Sequence, residues 1–351
     1  MKRKFILLFI ISSLVFLVAC SKEENKENKT SNKEVVSFYN WGGVLTDDIL
    51  KQFEDETGID IIYSEFDENE NMYTVVKNSP SDYDLIAPSE YMVEKMIDEG
   101  MLREIDHSKL SNISNIGKEF MDREFDPNNK YSIPMIYGTL GILYNKTKVD
   151  PKDLHNWDII FNEKYKKQIW MLDSSRDTLG PGAWHLGYSA NSKNEKELNE
   201  IRDLMKEQKN LVTAYLQDEI KQHMINGVGA VAVIYSGEAW AAMSENPDLD
   251  YYLPPKSNLW IDNFAIPKDA KNYENALKLI DFLSRPDIAA KIGLEQGTPV
   301  TAAWDLEPVK SIENFDVMYP DLSNFDEKEV YVDLGEFTEI FEEAWEEVKI
   351  H

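Results

Sequence analysis

The chain has 351 residues, with 64 acidic against 37 basic side chains and a formal net charge of −27 at pH 7. So large an acidic excess argues against nucleic acid, which needs a basic footprint, and by field attraction it suits a cationic ligand. A single cysteine leaves no disulfide within the chain and no cysteine-based metal cluster.

Lys2-Arg3-Lys4 and the apolar run from Phe5 to Val18 make a positive segment followed by a hydrophobic one, too short for an ordinary membrane span. The run ends in Leu17-Val18-Ala19-Cys20, which resembles a bacterial lipobox. Residues 1–19 are then a lipoprotein signal peptide. Cys20 becomes the lipidated first residue of an exported protein, anchored to the cell membrane and facing the periplasm or cell exterior. Residues 21–33 carry no apolar side chain and cannot order themselves by burial, so 20–33 reads as a flexible tether. The remainder, about 320 residues, suffices for two lobes of ordinary size.

Val35–Trp41 reads as a buried strand, followed by Gly42-Gly43 and a helix. Thr46 is its N-cap, Asp47 and Asp48 suit its positive end, Ile49, Leu50 and Phe53 form its apolar face, and Gly58 closes it. Residues 59–63 are a second strand, 69–78 a helix and 83–87 a third strand. Pro88-Ser89-Glu90-Tyr91 then opens a helix running to Gly100. This alternation predicts a mainly parallel sheet with helices on both faces. Residues 131–145, extended and apolar around Gly138 and Gly141, suit a strand leaving one lobe and entering another. A second α/β series follows, with strands at 168–172 and 229–235 and helices at 195–207, 218–225 and 238–246. Residues 257–267 form a strand that Pro267 ends, 274–283 and 286–295 are helical, and a last helix spans 336–350 with Phe337, Ile340, Phe341 and Trp345 on its apolar face.

In open α/β sheets, ligands bind beyond the carboxyl ends of strands. Those ends carry Trp41 with Gly42-Gly43, then Ser89 and Tyr91, then Asp173, Ser174 and Asp177, then Tyr235 and Ser236. Arg176 is the one base among them. Each has a plain explanation: Trp41 as core, Ser89 as an N-cap, Asp177 on a solvated helix face. Jointly they suit a cleft lined by rings and acids. Trp260 and Asp262 project from one face of their strand, either as core and cap or as half of a box for an organic cation. In the second case the ring offers a π-face and the carboxylate accepts charge-assisted hydrogen bonds. The five histidines have no metal-ligand spacing, and neither HExxH, GxGxxG nor G-x-S-x-G occurs. Asp177 and Asp262, with Trp41 and Trp260 as stacking platforms, leave a glycoside-acting enzyme or carbohydrate-binding protein as the alternative.

Phe38-Tyr39-Asn40-Trp41, Tyr83-Asp84-Leu85-Ile86-Ala87-Pro88-Ser89-Glu90-Tyr91, Phe125-Asp126-Pro127-Asn128-Asn129, Tyr131-Ser132-Ile133-Pro134, Gly187-Tyr188-Ser189, Leu259-Trp260-Ile261-Asp262 and Ala265-Ile266-Pro267 follow in order. With them the chain resembles the spermidine/putrescine-binding proteins of bacterial ABC polyamine importers. The resemblance implies an α/β, two-lobe periplasmic-binding-protein fold (type II-like), its lobes joined by crossover strands and closing over ligand. It places lobe 1 at 34–138 plus 261–306 and lobe 2 at 139–260 plus 307–351. The ligand site falls on Trp41, Ser89, Tyr91, Asp177, Tyr235, Trp260, Asp262 and Tyr331, with Gly42, Ser174 and Thr298 at positions where the family's side chains differ. The implied protein is a monomer without cofactor or metal that loads polyamine outside the membrane and delivers it to permease subunits, with no catalysis. A polyamine-sensing lipoprotein would share the same pocket.

Overall fold

The computed structural model describes residues 33–351 other than 298, 303–306, 321 and 323–327. The leader, Cys20, the tether up to residue 32 and Thr298 lie outside the described residues. β-Branched, aromatic and other apolar side chains dominate most of the strands, which are β1 (Val35–Trp41), β2 (Asp60–Phe66), β3 (Leu85–Ile86), β4 (Ser132–Asn145), β5 (Ile169–Leu172), β6 (Val212–Leu216), β7 (Val231–Tyr235), β8 (Leu249–Tyr252), β9 (Ser257–Ala265) and the short, charged β10 (Lys328–Glu329). They pair in the order β2-β1-β3-β9-β4-β7-β5-β6, with β10 added to β9 and β8 to β4. The outer pairs are parallel and the central ones, β3/β9, β9/β4 and β4/β7, antiparallel.

Helices flank both ends of this sheet: α1 (Asp47–Thr57), α2 (Asn69–Asn78), α3 (Glu90–Asp98), α4 (Ser175–Leu186), α5 (Glu195–Gln208), α6 (Glu219–Ile225), α7 (Ser236–Glu245), α8 (Tyr273–Leu283), α9 (Pro286–Gln296), α10 (Glu307–Lys310), α11 (Phe315–Met318) and α12 (Phe337–Ile350). Gly58 closes α1 at φ 73°, the left-handed geometry that glycine adopts without a Cβ penalty. Thr46 stands at the N-cap of α1, yet its side chain makes no capping bond. In α12, Phe341 and Trp345 are buried while Ile340 is 38% exposed, so the apolar stripe is narrower than its periodicity suggests.

The core comes in two parts, and this is the two-lobe fold. One packs Val36, Phe38, Ile49, Phe53, Ile86, Ile136, Phe264, Ile280 and Tyr319; the other packs Leu140, Ile142, Trp157, Met171, Leu179, Val233, Tyr331 and Trp345. β4 passes from one to the other, contributing Ile133–Tyr137 to the first core and Leu140–Tyr144 to the second. β9 runs antiparallel beside it, with Gly138 opposite Trp260 and Ile136 opposite Asp262. A side chain at Gly138 would run into the Trp260 ring, so the missing Cβ is what lets the indole lie flat against the crossing.

Candidate functional site

Ser89 ends the turn after β3 at the N-cap of α3, but its hydroxyl does not cap the helix. It donates instead to Asp262 Oδ1 at 2.6 Å, and the two residues also form a backbone bridge. Behind them Asn69, the buried first residue of α2, donates Nδ2 to both Ser89 Oγ and Tyr91 Oη at 3.0 Å and accepts the Ser89 amide at 3.2 Å. Tyr91 Oη in turn donates to Glu70 Oε1 at 3.1 Å. Asp262 is 6% exposed, and burial pushes its carboxyl up to about 7, with the Ser89 hydrogen bond pulling the other way.

On the second lobe α4 opens with Ser174 as its N-cap, accepting the Asp177 amide at 3.3 Å and donating to Asp177 Oδ2 at 2.8 Å. Asp177 is thus 8% exposed and buried, not on a solvated face. Tyr235, at the end of β7, donates to its Oδ2 at 2.7 Å, and Tyr331 donates to its Oδ1 at 3.3 Å. Burial raises the Asp177 carboxyl above its ordinary range, and the tyrosine and serine hydroxyls oppose that rise. The Tyr235 ring meets Trp260 edge-on at 6.0 Å. Ser89 and Asp262 therefore form one hydrogen-bonded cluster and Ser174, Asp177, Tyr235 and Tyr331 another, and the second meets β9 where Tyr235 packs on Trp260, two residues before Asp262. Tyr91 joins the first through Asn69 and packs against both cores.

Trp41 ends β1 half-buried, tilted on Phe66 at 4.5 Å; its indole N–H makes no hydrogen bond within the protein. Gly42 donates its amide to the Phe66 carbonyl at 3.1 Å, so neither residue bonds into either cluster. Sequence reasoning missed Asn69 and Glu90, and it noted Arg176 only as the one base at the strand ends. Glu90 had a visible signal: an acid wedged between Ser89 and Tyr91 at the start of an apolar helix. A cavity of about 520 Å³ lies elsewhere, walled by Met243, Tyr251, Leu253 and Val317. Its Asp250 is already held by Tyr144 and the Tyr251 amide, and Lys328 adds a cation to it. It lacks the paired buried acids of the two clusters above. Chemically, those clusters offer two desolvated carboxylates and two adjoining rings, a surface for organic cations.

The sequence profile of the bacterial extracellular solute-binding proteins matches residues 48–311, and the chain belongs to that family. Within it, the spermidine/putrescine-binding periplasmic protein of Escherichia coli is 37% identical over 320 residues, covering 89% of this chain and 90% of that protein. Its Salmonella typhimurium counterpart is 35% identical over 323 residues, covering 91% and 92%. Among solved structures, the spermidine/putrescine ABC transporter substrate-binding protein of Streptococcus pneumoniae, in complex with calcium and HEPES, superimposes with a TM-score of 0.79 at 39% identity, over 90% of this chain and 99% of that one. A Treponema pallidum lipoprotein gives 0.81 at 26% identity, over 91% and 100%. These relatives are binding proteins of transporters and not enzymes, which removes the glycoside-acting alternative.

Proposed function

We propose that this protein binds a polyamine, spermidine or putrescine, between its two lobes and delivers it to an ABC permease for import. The observation that carries the reading is the pair of buried carboxylates, Asp262 on β9 and Asp177 on α4, joined through the adjoining rings of Trp260 and Tyr235. An ammonium group leaving water loses a large hydration energy, which a paired and hydrogen-bonded carboxylate offsets. One amine is held by Asp262 beside the indole and a second by Asp177, so a single ligand bridges the lobes and favours closure. Sugars need stacking but no paired charge.

We assign the first crossing between lobes to Gly138-Thr139 and the return to Leu259-Trp260-Ile261. The last crossing we assign between Tyr319 and Tyr331, later than position 306, because Tyr319 packs in the first core and Tyr331 in the second. The lipobox-like leader supports reading the protein as a lipoprotein held at the membrane by Cys20. Calorimetric titration with putrescine, spermidine and a panel of neutral sugars tests the ligand class. Heat with a polyamine and none with sugars is expected; sugar binding without polyamine binding would sink the reading. An uptake assay in a deletion strain separates delivery from sensing.

A further inference from the structure

The first turns of α3 and α4 lie on opposite lobes, and each carries an ionic side chain with one buried polar atom to spare. Glu90 is 0% exposed; its Oε2 accepts the Ile261 amide at 2.8 Å, between Trp260 and Asp262, while Oε1 makes no hydrogen bond within the protein. Arg176 donates Nη1 to the Val332 carbonyl at 3.3 Å and Nη2 to Asn191 Oδ1 at 2.7 Å. Its guanidinium lies over the Tyr331 ring at 4.3 Å, and its buried Nε is left without a partner in the protein. Glu94, one turn beyond Glu90 and so on the same face of α3, accepts the Asp333 amide at 2.9 Å. One face of a first-lobe helix therefore already grips the second-lobe segment that Arg176 holds.

A buried carboxylate oxygen and a buried guanidinium N–H, opposite in charge and each unsatisfied, are costly apart and complementary together. We propose that Glu90 and Arg176, with Glu94 on Asp333, form a clasp between the lobes that sets how long the closed form lasts without itself touching the ligand. The charged and titratable groups around Glu90 are Asp262, Arg176 and Tyr331. Burial and the neighbouring Asp262 push the Glu90 carboxyl up to about 8, while the Ile261 amide and Arg176 pull it down. A cation seated on Asp262 cancels that neighbour's repulsion and frees Glu90 to ionise against Arg176, so ligand and clasp reinforce each other.

The mechanism rests on the polyamine reading, and the test keeps the two apart. Spermidine affinity and dissociation rate are measured for the parent, Glu90→Gln, Arg176→Gln and the double variant, each checked by thermal melting. Arg176→Lys, which keeps the charge but loses the fork, takes the place of Arg176→Gln should that variant not fold. Each single variant is expected to bind about tenfold more weakly through faster dissociation, and the double to be no weaker than the weaker single. Unchanged affinity, or single effects that multiply in the double, overturns the clasp. A parent that binds no polyamine overturns the polyamine reading instead. The clasp is then read in the unliganded full chain carrying Cys20→Ser, with spin labels at the exposed positions Lys51→Cys and Lys196→Cys. At pH 9, where the Glu90 carboxyl is ionised without ligand, Glu90→Gln must widen the distribution of lobe separations, and an unchanged distribution overturns it.

Discussion

Asp262 and Asp177 are buried to nearly the same degree, 6% and 8% exposed, yet they are held very differently. Among the described residues Asp262 accepts from one side-chain hydroxyl, that of Ser89, whereas Asp177 accepts from three, those of Ser174, Tyr235 and Tyr331. Burial raises both carboxyls, that of Asp262 to about 7, and the hydroxyl donors oppose the rise at each. Donors as well as desolvation act on the charge of a buried acid. Asp177 has three donors turned towards it before any ligand arrives, while Asp262 has one and leaves more of its hydrogen bonding to the ligand.

The widest separation between the two comes from removing each charge. Asp262→Asn and Asp177→Asn are each expected to weaken polyamine binding by on the order of 2–5 kcal/mol, the usual loss on truncating a buried charge pair. Their unliganded stabilities should move in opposite directions. A carboxyl raised from its unfolded value of about 4 contributes stability below that pH and loses it as pH rises through its folded value near 7. Asp262→Asn should thus melt above the parent at pH 8, with the gap closing toward pH 4. Asp177→Asn turns two acceptor sites into donors facing hydroxyls and should melt lower, by about 1 kcal/mol. Melting curves that move together would erase the distinction.

A pH series sharpens it further. Because binding a cation requires ionised Asp262, affinity should fall about tenfold per pH unit below 7, reaching roughly 100-fold at pH 5. The slope should vanish in Asp262→Asn and persist in Asp177→Asn; titrations at pH 5, 6, 7 and 8 decide. The smallest effect belongs to Tyr235→Phe, which deletes one of the three donors on Asp177 and should cost about 1 kcal/mol of affinity, near fivefold, by the same calorimetry. Loss of binding altogether would mean that Asp177 is as poorly supported as Asp262.

Much of this was legible in the sequence. Strand β1, helix α2 and the Gly58 stop of α1 follow from local pattern and fall where expected. Helix α4 was anticipated only as the helix face carrying Asp177, without bounds, since Gly180-Pro181-Gly182 disfavours a helix interior. In the structure Pro181 sits inside the helix, and Gly182 leaves α4 room beside Met205 of α5. Strands β6 and β8 are short and half-buried, with too little alternation to stand out. At the site, rings and acids at strand ends were visible one by one. Their hydrogen bonds were not, because Ser89 to Asp262 and Asp177 to Tyr331 span 173 and 154 positions. No local signal reports that Asn69 lies behind Ser89, or that Ile261 presents its amide to Glu90.

The pairing of β3 with β9 has a consequence for how the molecule comes into being. Ile86 pairs with Tyr39 on one side, but its partner on the other is Ala265, with most of the second core between them in sequence. A chain leaving the ribosome N-terminus first thus makes the early strands of the first lobe and must then wait on the order of ten seconds or more, at normal elongation rates, for the strand that completes it. During that interval β1 to β3 can pair with one another but not with β9. Such a connectivity delays completion of the native state until most of the polypeptide has been made, and so keeps the chain threadable for longer.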